Sequence, residues 1–152
     1  MFNEIITNEI LIIPICAWAV AQLLKVVVLL IQKKRLDLHY LVISGGMPSS
    51  HSTFVTALAT AVAYVEGVAS VAFGISVIFA LVIMYDAAGI RQAVGKQAAV
   101  LNRMLRELGD RRLGTELAHD LKELVGHTPF QVIIGGLLGI FVALLWVAIA
   151  GI

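Results

Sequence analysis

"TFVTALATAVAYVEGVASVAFGISVIFALVIMY", residues 53–85, decides the fold of this 152-residue chain. The stretch carries a single charge, in the pair Glu66-Gly67. One helix of this length would extend about 50 Å, against about 30 Å of bilayer hydrocarbon. A Glu-Gly pair reads as a tight turn. Two antiparallel membrane spans are therefore expected here.

Two more apolar stretches lie outside this one. Residues 10–31 are long enough to cross a bilayer, and residues 129–152 hold no charge at all. A spanning backbone must satisfy its own hydrogen bonds, so each crossing is expected to be helical. The fold class that follows is all-α, an integral membrane helical bundle in one membrane domain over residues 1–152. The expected spans are about 10–31, 50–66, 68–86 and 129–151.

Composition agrees. The chain is 60% hydrophobic and 14% charged, with a mean hydropathy of +0.96; an average soluble domain is nearer a quarter charged. A net charge of +1 gives no reason to expect nucleic acid as a partner. Cys16 is the single cysteine, which excludes an intrachain disulfide. The opening "MFNEIITNE" has two glutamates and no Lys or Arg, the wrong sign for a signal peptide. The first apolar segment is thus expected to be retained as a span.

Residues 87–126 have a different pattern. "IRQAVGKQAAVLNRMLREL", residues 90–108, sets Ile90, Val94, Leu101, Leu105 and Leu108 on one side at helical spacing, with Arg91, Asn102 and Arg106 on another. "TELAHDLKELVG", residues 115–126, repeats this with Leu117, Leu121 and Leu124, Thr115 as N-cap and Gly126 as stop. Two amphipathic helices on or near the membrane are expected, with a solvated linker as the alternative.

Ten of the eleven Lys and Arg residues fall within 32–50 and 86–128, and the exception is Lys25 in the first span. By the positive-inside rule both segments face the cytoplasm and both termini face away. The protein is accordingly expected in the plasma membrane, with its polar loops on one face.

Those loops hold the groups able to do chemistry. In "GGMPSSHST", residues 45–53, Pro48, Ser49 and Ser50 suit a helix start. A helix N-terminus offers free donors and a positive dipole end to phosphate. His51 in the first turn would be placed to pass a proton to a leaving oxygen; a capped span with an interfacial histidine is the alternative. In "GHTPFQ", residues 126–131, Thr128, Pro129 and Gln131 form a capping box, and Gln131 is assigned to the cap. His127 stands just ahead of that helix, whose positive end favours a neutral, nucleophilic ring.

Lys25 is a costly charge if buried, with snorkelling to the headgroups as the competing reading. Arg91 and Lys96 are the cations able to hold a phosphate beside it. Asp86 stands about 140° from Arg91 on a regular helix, so the two pair only if Gly89 breaks it. Glu123, four residues before His127, would orient that imidazole or remain a solvated charge. Gly135, Gly139 and Ala143 form a small-residue stripe for close packing, within the chain or in a homodimer through the last span. No metal-ligand spacing is present, and neither a metal nor another cofactor is expected.

"GGMPSSHS", "MYDAAGIRQAVGKQA", "LNRML" and "ELVGHTPFQVIIGGLLG" together resemble the divergent type 2 phosphatidic acid phosphatase family, from about Gln22 to Gly139. The wider superfamily builds its site from a Lys with an Arg seven residues on, a Pro-Ser-Gly-His, and a Ser-Arg followed by a His and then an Asp four residues later. The resemblance implies Lys25 as the first lysine, with Gln32 in the arginine's place. It matches Pro48, Ser49 and His51 to the second motif, Ser50 replacing glycine, and His127 to the nucleophile. Leu121 and Gln131 occupy the third motif's arginine and aspartate positions. Arg91 is then the substitute arginine, and Glu123 or Asp86 the substitute orienting acid. The activity implied is metal-independent hydrolysis of a lipid phosphate monoester or diphosphate, with His127 as nucleophile and His51 as acid. Lys25, Ser49, Ser50, Arg91 and Lys96 would hold the phosphoryl group. A phospholipid-binding or membrane-organising protein on the same scaffold is the non-catalytic alternative, and a small transporter a third.

Overall fold

The computed structural model describes residues 7–33, 46–108 and 127–151. The described residues form five helices: α1 Glu9–Lys33, α2 Ser50–Val65, α3 Val71–Ala88, α4 Ile90–Leu108 and α5 Pro129–Ala150. The protein is an all-helical membrane bundle. By length and composition, α1 (as Glu9–Ile31), α5 and the α3–α4 run are able to cross a bilayer. The expected second span, about 50–66, corresponds to α2 Ser50–Val65, which is too short to stand among those three. Ser49 caps α2 and Glu66 ends it after 16 residues, about 24 Å at 1.5 Å per residue.

The turn expected at Glu66-Gly67 is present. Gly67 takes φ +85°, a conformation open to glycine. Ser70 then caps α3, accepting from the Phe73 amide at 3.1 Å. α1 starts on Asn8, whose side chain accepts from Ile10 N at 3.0 Å.

α2 is the central helix, packed against α5, α1 and α3. Its partner face on α1 is a strict every-fourth-residue row of Ile13, Ala17, Ala21 and Lys25, all buried. Ile13 and Ala17 meet Ala57, Ala61 and Ala143 in the core, with Val142 and Trp146 packed on them. Small residues let these backbones approach closely, and packing of this kind replaces the hydrophobic effect as the force between helices in lipid.

The stripe on α5 is occupied within the chain. A Cβ on Gly135 would collide with the Ser49 carbonyl oxygen, and one on Gly139 with the Thr53 carbonyl and the Thr56 hydroxyl. The contacts rise together along both chains, so α2 and α5 run parallel with their N-termini at one end.

α3 lies at the edge. Ser76, Ala80 and Ala87 are buried, while Val71, Ile75, Ile78 and Val82 are exposed. Gly89 interrupts the helix for one residue (φ −104°, ψ −80°) before α4 begins. α4 is amphipathic as expected. Ile90, Val94, Leu101 and Met104 are exposed, and Gly95 and Ala98 are buried. The second expected amphipathic helix, residues 115–126, lies outside the described residues.

Candidate functional site

The N-termini of α2 and α5 and the last third of α1 meet at one end of the bundle. Local sequence explains each start. Ser49 Oγ accepts from Ser52 N at 3.4 Å and from Ser52 Oγ at 3.0 Å. Thr128 Oγ1 accepts from Gln131 N at 3.3 Å while Gln131 Oε1 accepts from Thr128 N at 3.0 Å, completing the expected capping box.

The two ends are clamped to each other. Ser49 N donates to the Gln131 carbonyl at 3.3 Å. One turn on, Thr53 Oγ1 donates to the Ser49 and Gly135 carbonyls, each at 2.9 Å. Thr56 Oγ1 reaches the Gly136 carbonyl at 2.9 Å. The pattern places two positive helix-dipole ends side by side.

Lys25 enters this junction from α1. It is 1% exposed, which rules out snorkelling, and its Nζ donates to Ser50 Oγ at 2.9 Å. Ser50 is the first residue of α2, so the ammonium sits at that helix's N-terminus. Among the described residues no carboxylate pairs with Lys25. Two of its three N–H donors have no bond there. Buried Gln22 lies one turn back on α1.

His51 is half-buried in the first turn of α2. His127 is 3% exposed, directly ahead of α5. Its Nδ1 lies 3.4 Å from Gln131 Oε1, the oxygen that also serves the cap.

The structure thus joins Lys25, Ser49 and Ser50, and ties the helix bearing His51 to the one that follows His127. The Ser49 hydroxyl is taken up by the cap, leaving Ser50 as the serine that meets the lysine. Asp86 is half-buried near the end of α3. Lys96 is exposed on α4, which packs against α3. Arg91 stands in the first turn of α4, and its side chain, like Glu123, lies outside the described residues.

Sequence reasoning missed the clamp of Thr53, Thr56, Gly135 and Gly136. The signal was a pair of hydroxyls three apart in an apolar run, matched by a glycine stripe elsewhere. It also missed that Gln131 touches His127 as well as the cap.

The arrangement offers a recessed cation, two helix N-termini and a buried imidazole, a set suited to an anion with phosphate chemistry. The sequence pattern of the family described as "Divergent PAP2 family" matches residues 6–142. The chain is also 41% identical over 150 residues to the "Uncharacterized membrane protein YuiD" of Bacillus subtilis (strain 168), an alignment covering 93% of this chain and 95% of that protein. No solved structure matches. Matched over residues 6–142 and 41% identical to that relative over most of its length, the chain belongs to the divergent PAP2 family.

Proposed function

We propose that the protein hydrolyses a lipid phosphate monoester or diphosphate through a phosphohistidine. The observation that carries this reading is Lys25, a buried ammonium held by one serine hydroxyl at the N-terminus of α2. Burying such a charge without a counter-charge is costly, and a phosphoryl group supplies two or more anionic oxygens to it. The N-termini of α2 and α5 add positive potential of their own.

Depth supports a lipid substrate. Glu9 to Lys25 and the whole of α2 each cover about 24 Å, close to the hydrocarbon thickness. Lys25 and Ser50 then lie near the headgroup boundary, where lipid phosphates lie. That end is read as facing the cytoplasm, as the Lys and Arg bias favours, with both termini opposite and the plasma membrane as the host. On this reading α2 completes a four-span domain, and α4 lies in the interface with its apolar row toward lipid. A homodimer through α5 would use its outer face, Ile133, Leu137 and Phe141, because the small-residue stripe is taken by α2.

His127 attacks phosphorus in line. The P–N bond forms as the bond to the leaving oxygen breaks, and His51 gives that oxygen its proton. Water then attacks the phosphohistidine, His51 takes the proton back, and phosphate leaves. Lys25 and the first amides of α2 hold the phosphoryl oxygens, with Arg91 and Lys96 as outer cations and Asp86 and Glu123 as supporting acids.

A second reading, a non-catalytic phospholipid-binding scaffold, is favoured by one observation: neutral Gln131 lies beside His127 at the position where the superfamily motif has an aspartate. Phosphate release from a panel of lipid phosphates and diphosphates, with chelator present, separates the two. Release that is lost in His127→Ala supports the hydrolase. Binding of the same lipids without release, retained in His127→Ala, overturns it in favour of the scaffold.

A further inference from the structure

Gln131 serves two neighbours with one oxygen. Oε1 accepts the Thr128 amide hydrogen at 3.0 Å and lies 3.4 Å from His127 Nδ1. The first contact fixes the orientation of the amide, because a backbone N–H needs an acceptor and the side-chain NH₂ is a donor. Oxygen is therefore what Nδ1 meets. A bare ring nitrogen and a carbonyl oxygen are both acceptors, so the contact is attractive only when Nδ1 carries hydrogen.

We propose that Gln131 is a positioning residue that holds His127 in the Nδ1–H tautomer, putting the ring's lone pair on Nε2. Both partners are anchored. His127 is 3% exposed. Gln131 is the third residue of α5, its amide nitrogen bonded to Thr128 Oγ1 and its carbonyl to Ser49 N. Turning the side chain away from His127 would open the capping box. One substitution at Gln131 thus touches the cap, the junction and the imidazole together.

The amide is uncharged. It selects a tautomer without stabilising the imidazolium, whereas a carboxylate at the same place would do both. The catalytic part of the inference rests on the phosphatase reading above: the P–N bond forms at Nε2 while Nδ1–H stays on Gln131.

The test separates the two. In full-length protein labelled with ¹⁵N-histidine, ring nitrogens with and without hydrogen resonate far apart, and the His127→Ala spectrum identifies the His127 signals. The wild type is expected to show hydrogen on Nδ1 and a lone pair on Nε2. Thr128→Ala, which removes the cap but keeps the amide, should preserve that pattern. Gln131→Glu, which keeps an acceptor, should keep hydrogen on Nδ1, with the lone pair on Nε2 at a pH high enough to leave the ring neutral. Gln131→Leu should mix the tautomers and lower kcat about tenfold or more, as misplacement of a reacting group does, with KM little changed and Gln131→Glu restoring the rate. Hydrogen on Nε2 in the wild type overturns the assignment, whether or not Gln131→Leu folds. An unchanged kcat in folded Gln131→Leu overturns the positioning role. The expected tautomers without phosphate release from any lipid leave the assignment standing and remove the phosphatase.

Discussion

The trio α1, α2 and α5 and the pair α3 and α4 both bury small residues, but they differ in where their buried hydroxyls bond and in what surrounds their glycines. The trio turns small and polar residues inward: Ala17, Ala21 and Lys25 from α1, Ser49 and Thr53 from α2, Gly135 and Gly139 from α5. Its hydroxyls cross between helices to carbonyls. α3 turns its bulk outward, and the hydroxyl of its buried Ser76 bonds to the Phe73 carbonyl of its own helix. Gly74 of α3 has nothing within 4 Å of where a Cβ would stand. The glycines whose Cβ would meet another helix's backbone, Gly135 and Gly139, lie in the trio, which is also where the buried cation and the capped imidazole are found.

The sharpest way to break this contrast is to add volume to a glycine on each side. Gly139→Leu drives a side chain into the Thr53 carbonyl and the Thr56 hydroxyl. Overpacking a core costs about 1–3 kcal/mol when side chains can move aside, and backbone moves less easily. The expected result is loss of folded protein in thermal melts in detergent. Gly74→Leu should melt within a few degrees of the wild type. If the two variants melt alike, α2 and α5 do not pack as described.

The two lysines at opposite ends of the comparison come next. Lys25→Met removes the buried ammonium and leaves a side chain of similar length. Binding of inorganic phosphate should weaken about tenfold or more, since hydrogen bonds to a charged group are worth about 1.5–3 kcal/mol. Stability should hold or rise, because an apolar substitute avoids desolvating the charge. Lys96→Met, exposed on α4, should change binding less than about twofold, the scale of a screened surface charge. Calorimetric titration reads both. Equal losses in the two variants would place Lys96 beside Lys25 and extend the site to α4.

Much of this contrast could be read in the sequence, and the unread part has a physical cause. Glu66-Gly67, Ser49 and Thr128 announced a turn and two helix starts because caps and turns are local chemistry, set by residues within four positions of each other. Lys25 was harder. Its burial follows from the row Ile13, Ala17, Ala21, Lys25, but in a helix that is apolar all round, periodicity alone does not tell which row faces protein and which faces lipid. The glycine stripe of α5 was visible as a packing surface, though its partner was not, because residues 49–56 and 135–139 are brought together only by the fold. Gln131 was read as a cap and is one; its second contact, to His127, depends on the angle at which the chain enters α5.

The smallest expected effect tests the hydroxyl contrast directly. Thr53→Val is nearly isosteric and deletes the bonds from Oγ1 to the Ser49 carbonyl of its own helix start and to the Gly135 carbonyl of α5. The Gly135 carbonyl belongs to a helix and keeps its intrahelical role, so the interhelical part of the cost is one bond, about 0.6–2 kcal/mol in membrane bundles. Ser76→Ala deletes a bond within α3 and should cost less than about 0.5 kcal/mol. The two sites lie on different helices and share no hydrogen-bond partner, so the double variant should be additive. Chemical denaturation of the reconstituted protein measures all three. If Ser76→Ala were the costlier change, the buried hydroxyl of α3 would be bracing the bundle as much as those of α2. The clamp would then extend beyond the three helices that meet at Lys25.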